Sequence, residues 1–331
     1  MTTFANQAVT NIAASTSVTS AVFNNVHMVG ACWMLTSAIC TTYSTTKFLK
    51  YSPARTTEKG IKLPLSRAAL LTLFRFGGSL ALGLLLHPNL DILNRVAETR
   101  KLLPAFALPA VFLYVANYSN SISLSRIGIS LTYTSKCAIP LITLIMTVLL
   151  DGVQALPRLP VILSLLPIGM GIAAASWNHP HFELLGFLAA FTSCASQSAL
   201  NVTTQRIMKQ MNVSGPVAQR AMVAVGLVIA SSMSLYQIVS RRNQDQTKLE
   251  AIPPGWLSAM AVTAYHIEYF LSFMFVKMVA PITYSATDAV RRLGIIISGQ
   301  YIFGGPSFTP LNMFGIALAL GGALTYSILN N

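Results

Sequence analysis

Residues 130–147 read SLTYTSKCAIPLITLIMT, and Lys136 places a cation inside an apolar stretch that runs over 127–150. It lies about ten residues in, which at 1.5 Å per residue is roughly 15 Å, half the thickness of a bilayer's hydrocarbon core. A lone cation at that depth costs roughly 2.5–3.5 kcal/mol on insertion scales, so the sequence calls for an anion or a carboxylate to meet it. Pro140 follows and lacks the N–H that would bond the carbonyl of residue 136. The helix is therefore expected to bend at Lys136 and free that carbonyl, which membranes tolerate where a broken helix lines protein or a wet cavity. A second stretch, VAPITYSATDAVRRLGIIISGQYIFG at 279–304, carries Arg291 and Arg292 at similar depth.

The rest of the chain agrees with a bilayer setting. Its 331 residues are 53% hydrophobic and 9% charged, with a mean hydropathy of +0.60; a soluble domain carries about 25% charge. The expectation is an all-α membrane protein with ten transmembrane helices near 26–46, 66–87, 103–123, 127–150, 159–177, 182–208, 217–239, 255–279, 281–304 and 311–329. Residues 1–25 are rich in Ala, Ser, Thr and Asn without Lys or Arg, and read as a flexible tail with neither a secretory n-region nor an Arg-rich transit segment. The net charge of +13 is carried largely between apolar runs, as in Lys47, Lys50, Arg55, Lys59 and Lys62. That is the pattern of loops beside anionic headgroups rather than of nucleic-acid binding. Basic residues fall on both faces alike, so they do not set orientation. Cys32, Cys40, Cys137 and Cys194 all sit in expected spans without CxxC spacing and read as small packing residues. No metal or cofactor is expected.

The chain repeats itself. LTYTS at 131–135 aligns with ITYSA at 282–286, an offset of 151 residues. The same offset pairs Tyr114 with Tyr265, Tyr118 with Tyr269, Asn117 with Glu268, and Gly171 with Gly322. Each half then holds five spans, 26–177 and 178–331, and an odd count inserts the halves in opposite directions. Such inverted repeats build secondary transporters with a site at the midplane.

The unusual polar residues gather in the third, fourth, eighth and ninth spans. Lys136 reads as an anchor for an anionic substrate, with an ion pair to Glu268 as the alternative. Arginine offers a planar fork for phosphate. Asp288 lies three and four residues before Arg291 and Arg292, at helix salt-bridge spacing, so one arginine is expected to be tied to Asp288 and the other to face the ligand. Tyr133, Asn117, Asn120, Tyr265 and Tyr269 are candidates to hydrogen-bond the substrate. Arg206 and Lys209 end the sixth span, where snorkelling competes with ligand contact. Arg67 reads as interfacial, Arg75 has no evident role, and His266 beside Glu268 forms a candidate proton-linked pair. The small residues of GMGIAAAS (169–176) and GIALALGGALTYS (315–327) read as helix-packing surfaces.

These segments resemble the triose-phosphate translocator and nucleotide-sugar transporter group of the drug/metabolite transporter superfamily. Residues 130–147 resemble its fourth span, 279–304 its ninth and 315–327 its tenth. The resemblance covers 26–329 and implies that Lys136, Arg291 and Arg292 hold the substrate phosphate and that Arg206 matches a sixth-span arginine. This chain departs from the pattern in four places. Arg291-Arg292 replaces Lys-Arg, and Asn117 replaces a histidine. An eighth-span tyrosine falls at Glu268 or Tyr269 depending on register, and Asp288 stands where a neutral residue is usual. Counting Lys136, Arg291 and Arg292 against Glu268 and Asp288 gives +1.

The expected function is an antiporter of a phosphorylated metabolite, a sugar phosphate or a nucleotide sugar, against phosphate or nucleotide by alternating access. It would sit in a Golgi/ER or plastid membrane, in contact with lipid, and its oligomeric states include a homodimer. The alternative is a proton-linked exporter of a small amine or metabolite that works through Glu268 and Asp288. An enzyme is not expected: HExxH and GxGD are absent, and no Ser-His pairing sits at a plausible depth.

Overall fold

The computed structural model describes residues 25–52, 62–86, 92–152, 154, 158–176, 182–241, 250–279, 281–303 and 309–329. The expected tail lies outside these apart from Asn25. The Asn25 side chain accepts the N–H groups of His27 (3.1 Å) and Met28 (3.4 Å) and so caps the first helix. That helix, α1 (Val26–Leu35), passes through a π-helical turn (Thr36–Thr41) into α2 (Thr42–Leu49). A π turn leaves the backbone ladder out of step. Thr42 and Thr45 compensate with side-chain bonds to the carbonyls of Ser37 (2.8 Å) and Thr41 (2.5 Å).

The chain continues as α3 (Arg67–Leu85), α4 (Ile92–Leu102) and α5 (Ala107–Ser135), then a 3-10 turn (Lys136–Ala138) and α6 (Ile139–Asp151). Next come α7 (Leu159–Leu163), α8 (Leu166–Ser176), α9 (Leu184–Met211) and α10 (Gly215–Arg241). The chain ends with α11 (Gly255–Met278), α12 (Pro281–Phe303) and α13 (Pro310–Leu329). Two short strands, β1 (Lys62–Leu63) and β2 (Glu250–Ala251), pair antiparallel outside the helical body. The described residues are thus nearly all helical, and each expected apolar run falls on helix. Among the described residues, three helical stretches have the length and apolarity to cross a membrane: Arg67–Leu85, Gly215–Ser240 and a window within Ala107–Met146. Leu159–Ala175 and Pro310–Tyr326 are shorter apolar helices.

The long element α5 is a hairpin. Gly128 breaks it with φ 77° and ψ −178°, a conformation that L side chains resist. The Ser123 and Thr132 hydroxyls meet at 2.7 Å, whereas nine residues of straight helix would separate them by about 13 Å. Nothing lies within 4 Å of a Cβ at Gly128, so backbone conformation rather than space demands glycine there.

One element was not expected. The segment between the second and third expected spans, with its Arg95, Arg100 and Lys101, forms α4. Arg95, Thr99 and Leu102 recur at helical spacing and are its buried stripe. The Arg95 guanidinium donates to the Leu84 carbonyl (2.5 Å) at the end of α3.

Packing follows the small residues. A Cβ on Gly171 would lie 2.4 Å from the Ala319 nitrogen, and one on Gly315 would lie 2.4 Å from the Ala175 nitrogen. Only glycine lets α8 and α13 approach backbone to backbone in this way. Outward faces carry exposed Val228, Leu235 and Tyr236 on α10, a surface suited to lipid. Polar side chains concentrate inside. The four cysteines are free, and Cys137 and Cys194 are buried among packed helices.

Candidate functional site

The interior polar residues surround one cavity of about 100 Å³ between α1–α3, α5, α9, α11 and α12. Nine of the ten residues singled out from the sequence line it: Lys136, Arg291, Arg292, Asn117, Asn120, Tyr133, Glu268, Tyr269 and Asp288. The residues of α11 and α12 among them are mid-helix, and Lys136 lies at the turn between α5 and α6. Arg291 and Arg292 follow about ten residues of α12, and Glu268 follows thirteen residues of α11, so all sit roughly midway between the helix ends.

The break at Lys136 supplies part of the geometry. Pro140, the second residue of α6, cannot serve the Lys136 carbonyl, and the helix tightens into the 3-10 turn. That carbonyl accepts the Ile139 N–H and a guanidinium N–H of Arg292. A side chain of α12 thus holds the bend between α5 and α6.

Asp288 binds both arginines. Its Oδ1 accepts from Arg291 Nε (3.0 Å) and Nη2 (2.7 Å), and its Oδ2 accepts from Arg292 Nη2. The expectation of one arginine tied and the other free is corrected: a carboxylate has two oxygens, and spacings of three and four residues bring both forks to it. Arg291 also donates to Glu268 Oε1 (2.9 Å) and Ser37 Oγ (2.6 Å), and its guanidinium lies 5.0 Å from the centre of the Trp33 ring. Glu268 therefore pairs with Arg291 rather than with Lys136. Among the described residues no carboxylate or other acceptor meets the Lys136 ammonium, which rests 5.3 Å from the centre of the Tyr133 ring. Arg292 Nε is also buried without a partner.

Arg75, without a role in the sequence reading, belongs to this site. It is 3% exposed, lines the cavity, donates to Thr45 Oγ1 and lies 5.1 Å from the Tyr265 ring centre, and its Nε has no partner. The argument applied to Lys136, a cation midway along an apolar helix, would have found it. The lining thus holds four cations against two carboxylates, a formal +2 rather than +1. Trp33, Gln197 and Asn201 also line the cavity and were missed; aromatic and amide side chains carry no depth penalty large enough to flag them.

Arg206 is not brought to the site. It is exposed, while Asn201 on the same helix faces the cavity. Five residues on a helix turn about 500°, which leaves Arg206 some 140° away from Asn201. His266 does not pair with Glu268 either. Two residues apart they point about 160° from each other, and His266 Nδ1 instead meets Ser79 Oγ at 3.0 Å. Arg67 donates to the Tyr51 carbonyl (2.9 Å) near the start of α3.

A profile of the Triose-phosphate Transporter family matches residues 59–327. The chain belongs to that family. The family is one of membrane transporters, not enzymes. Phosphoenolpyruvate/phosphate translocator 2, chloroplastic, of Arabidopsis thaliana is 28% identical over 64% of this chain and 57% of its own length. Glucose-6-phosphate/phosphate translocator 2, chloroplastic, of the same plant is 28% identical over 64% and 55%. The triose phosphate/phosphate translocator of non-green plastids of Brassica oleracea is 25% identical over 72% and 60%. Matches to this family member therefore span a little over half the length of these relatives. A solved crystal structure, 16% identical, superposes with a TM-score of 0.51 over 92% of this chain and 97% of its own, a likeness of fold.

Proposed function

We propose that the chain exchanges a phosphorylated metabolite for inorganic phosphate across a membrane, binding the phosphoryl group between Lys136 and the Arg291-Arg292 pair. The observation that carries this reading is the buried +2 of the cavity lining, with the Lys136 ammonium facing the cavity and lacking a counter-charge. A phosphate monoester carries about −1.5 to −2 at neutral pH, so it offsets that charge. The named relatives, phosphate translocators of plastids, support the substrate class, the phosphate counter-substrate and a plastid membrane over Golgi or ER. A cavity near 100 Å³ has room for several waters, which favours a phosphoryl group on a short stem over a nucleotide sugar.

Alternating access follows from two inverted five-helix halves, and two observations support them. The breaks at Gly128 and Val279, which has φ −123° and ψ 158°, are one repeat apart. Gly171 approaches Ala319 as Gly322 approaches Ile168, with 2.4 Å and 3.0 Å from each Cβ to the facing nitrogen. Under the 151-residue offset these two contacts exchange, as a two-fold axis between the halves requires. The site draws Lys136 from one half and Arg291-Arg292 from the other within a single chain, so one protomer suffices. An empty carrier must pass a closed state with unpaired buried charge, which costs several kcal/mol; bound phosphate removes that cost and enforces exchange.

The proton-linked exporter is less well supported, because Glu268 and Asp288 are both engaged by guanidinium groups at 2.9 Å or less. The test is uptake of labelled phosphate by reconstituted protein. Uptake is expected in vesicles loaded with phosphate and at background in empty ones; equal rates in both would overturn exchange, and a proton gradient that drives uptake would favour the exporter.

A further inference from the structure

A second cavity lies away from the cargo site, between the C-terminal part of α3, the start of α10 and the middle of α11. It encloses about 450 Å³ and is walled mainly by Leu82, Val223, Ile267 and Phe270. Leu86 and Ile267 at its edge are exposed, so the slot reaches the outer surface. Its polar residues differ in how they are satisfied. Ser79 Oγ meets His266 Nδ1 (3.0 Å) and accepts from Gln219 Nε2 (3.4 Å), a closed set. Arg220 is 5% exposed, spends Nη2 on Glu98 of α4 (2.8 Å), and keeps a buried Nε without an acceptor. Arg220 lies five residues after the first residue of α10, about 7.5 Å along the helix axis; where α10 spans a bilayer from its first residue, that is the level at which headgroups give way to acyl chains.

The helix above the slot has the matching character. Ile92, Leu93 and Val96 of α4 are exposed apolar residues, while the exposed Arg100 and Lys101 outnumber Glu98 on the same helix. A short helix with bare apolar side chains and surplus basic charge lies in the membrane interface and favours anionic lipid. A soluble anion would leave the apolar slot unused, and a zwitterionic lipid would leave the surplus positive charge unanswered. We propose that the slot holds one acyl chain of an anionic phospholipid, with the lipid phosphate at Arg220 beneath α4. The Arg220–Glu98 pair then couples the bound lipid to the seating of α4 on the bundle.

The test is native mass spectrometry of the full chain, purified in detergent and offered phosphatidylglycerol or phosphatidylcholine with matched acyl chains. The wild type is expected to retain phosphatidylglycerol with about tenfold higher occupancy. Ile267→Trp, which fills the slot at an exposed position, and Arg220→Gln, which removes the cation, should both fall to the phosphatidylcholine level. Glycerol 3-phosphate in excess should leave the lipid adduct in place, because the headgroup alone lacks the acyl chain. Equal retention of the two lipids, wild-type retention by either folded variant, or displacement by glycerol 3-phosphate would each overturn the proposal. If Arg220→Gln does not fold, Ile267→Trp decides.

Discussion

Replacing Lys136 with methionine should make the protein more stable and at the same time inactive. The two side chains are similar in length, so packing against Tyr133 is largely kept. What is lost is a charge with no acidic partner and a cation–ring contact at 5.3 Å, worth about 0.5–2 kcal/mol. What is gained is relief from holding an ammonium away from bulk water; apolar replacement of buried ionic groups is often stabilising by about 1–4 kcal/mol. Lys136 is partly open to the cavity, so the lower part of that range applies, and after the lost ring contact the net gain is up to about 1 kcal/mol without substrate. Millimolar phosphate should raise the melting temperature of the wild type, since a ligand that binds the folded state stabilises it, and should do little for the variant. The assay is thermal unfolding in detergent, with and without phosphate, beside phosphate exchange in vesicles. A Lys136→Met protein less stable than wild type without phosphate, or one still stabilised by it, would show that Lys136 is a structural cation.

Asp288→Asn should have the opposite effect on stability. It leaves two guanidinium groups short of a shared counter-ion at sites no more than 14% exposed, a loss of about 3 kcal/mol, and it should bind phosphate more tightly because the lining gains a positive charge; chemical denaturation and phosphate titration check both. Arg75→Gln should lower the uptake of substrates with a second anionic group, such as phosphoenolpyruvate, several-fold more than that of glucose 6-phosphate, because Arg75 brings a further cation into the cavity beside Thr45 and Tyr265; a competition assay measures the ratio, and an unchanged ratio would dismiss this role. Gly315→Val must push α8 and α13 apart where a Cβ would sit 2.4 Å from backbone, at a cost of at least about 1–3 kcal/mol, seen as a lower yield of monodisperse protein. Gly128→Ala should cost about 1–3 kcal/mol in chemical denaturation, because φ 77° with ψ −178° is a conformation essentially reserved for glycine, with no steric contribution from neighbours, and Gly128→Asn should cost about as much.

Much of this arrangement was legible in the residues because lipid makes charge conspicuous. Lys136, Arg291 and Arg292 announced themselves by depth, and Pro140 announced the bend whose carbonyl Arg292 takes up. Tertiary partnership was less legible. Nothing local says that both forks close on Asp288, or that Glu268 joins Arg291 with Ser37 as a third member. Arg75 obeyed the depth rule but sat outside the repeated segments that drew attention. Arg206 was carried by resemblance and failed on helical phase. The helix α4 was hidden by its charges, since its buried stripe includes an arginine whose guanidinium donates to a backbone carbonyl.

The acceptor that Arg292 finds on residue 136 is main-chain oxygen, and this separates two duties that share one position. A substitution at 136 can delete or exchange the ammonium while the guanidinium keeps its mooring, because every amino acid brings the same carbonyl. Under the proposed exchange, a change at 136 alters what the cavity can hold without unfastening the strut that runs from Arg292 to the bend between α5 and α6.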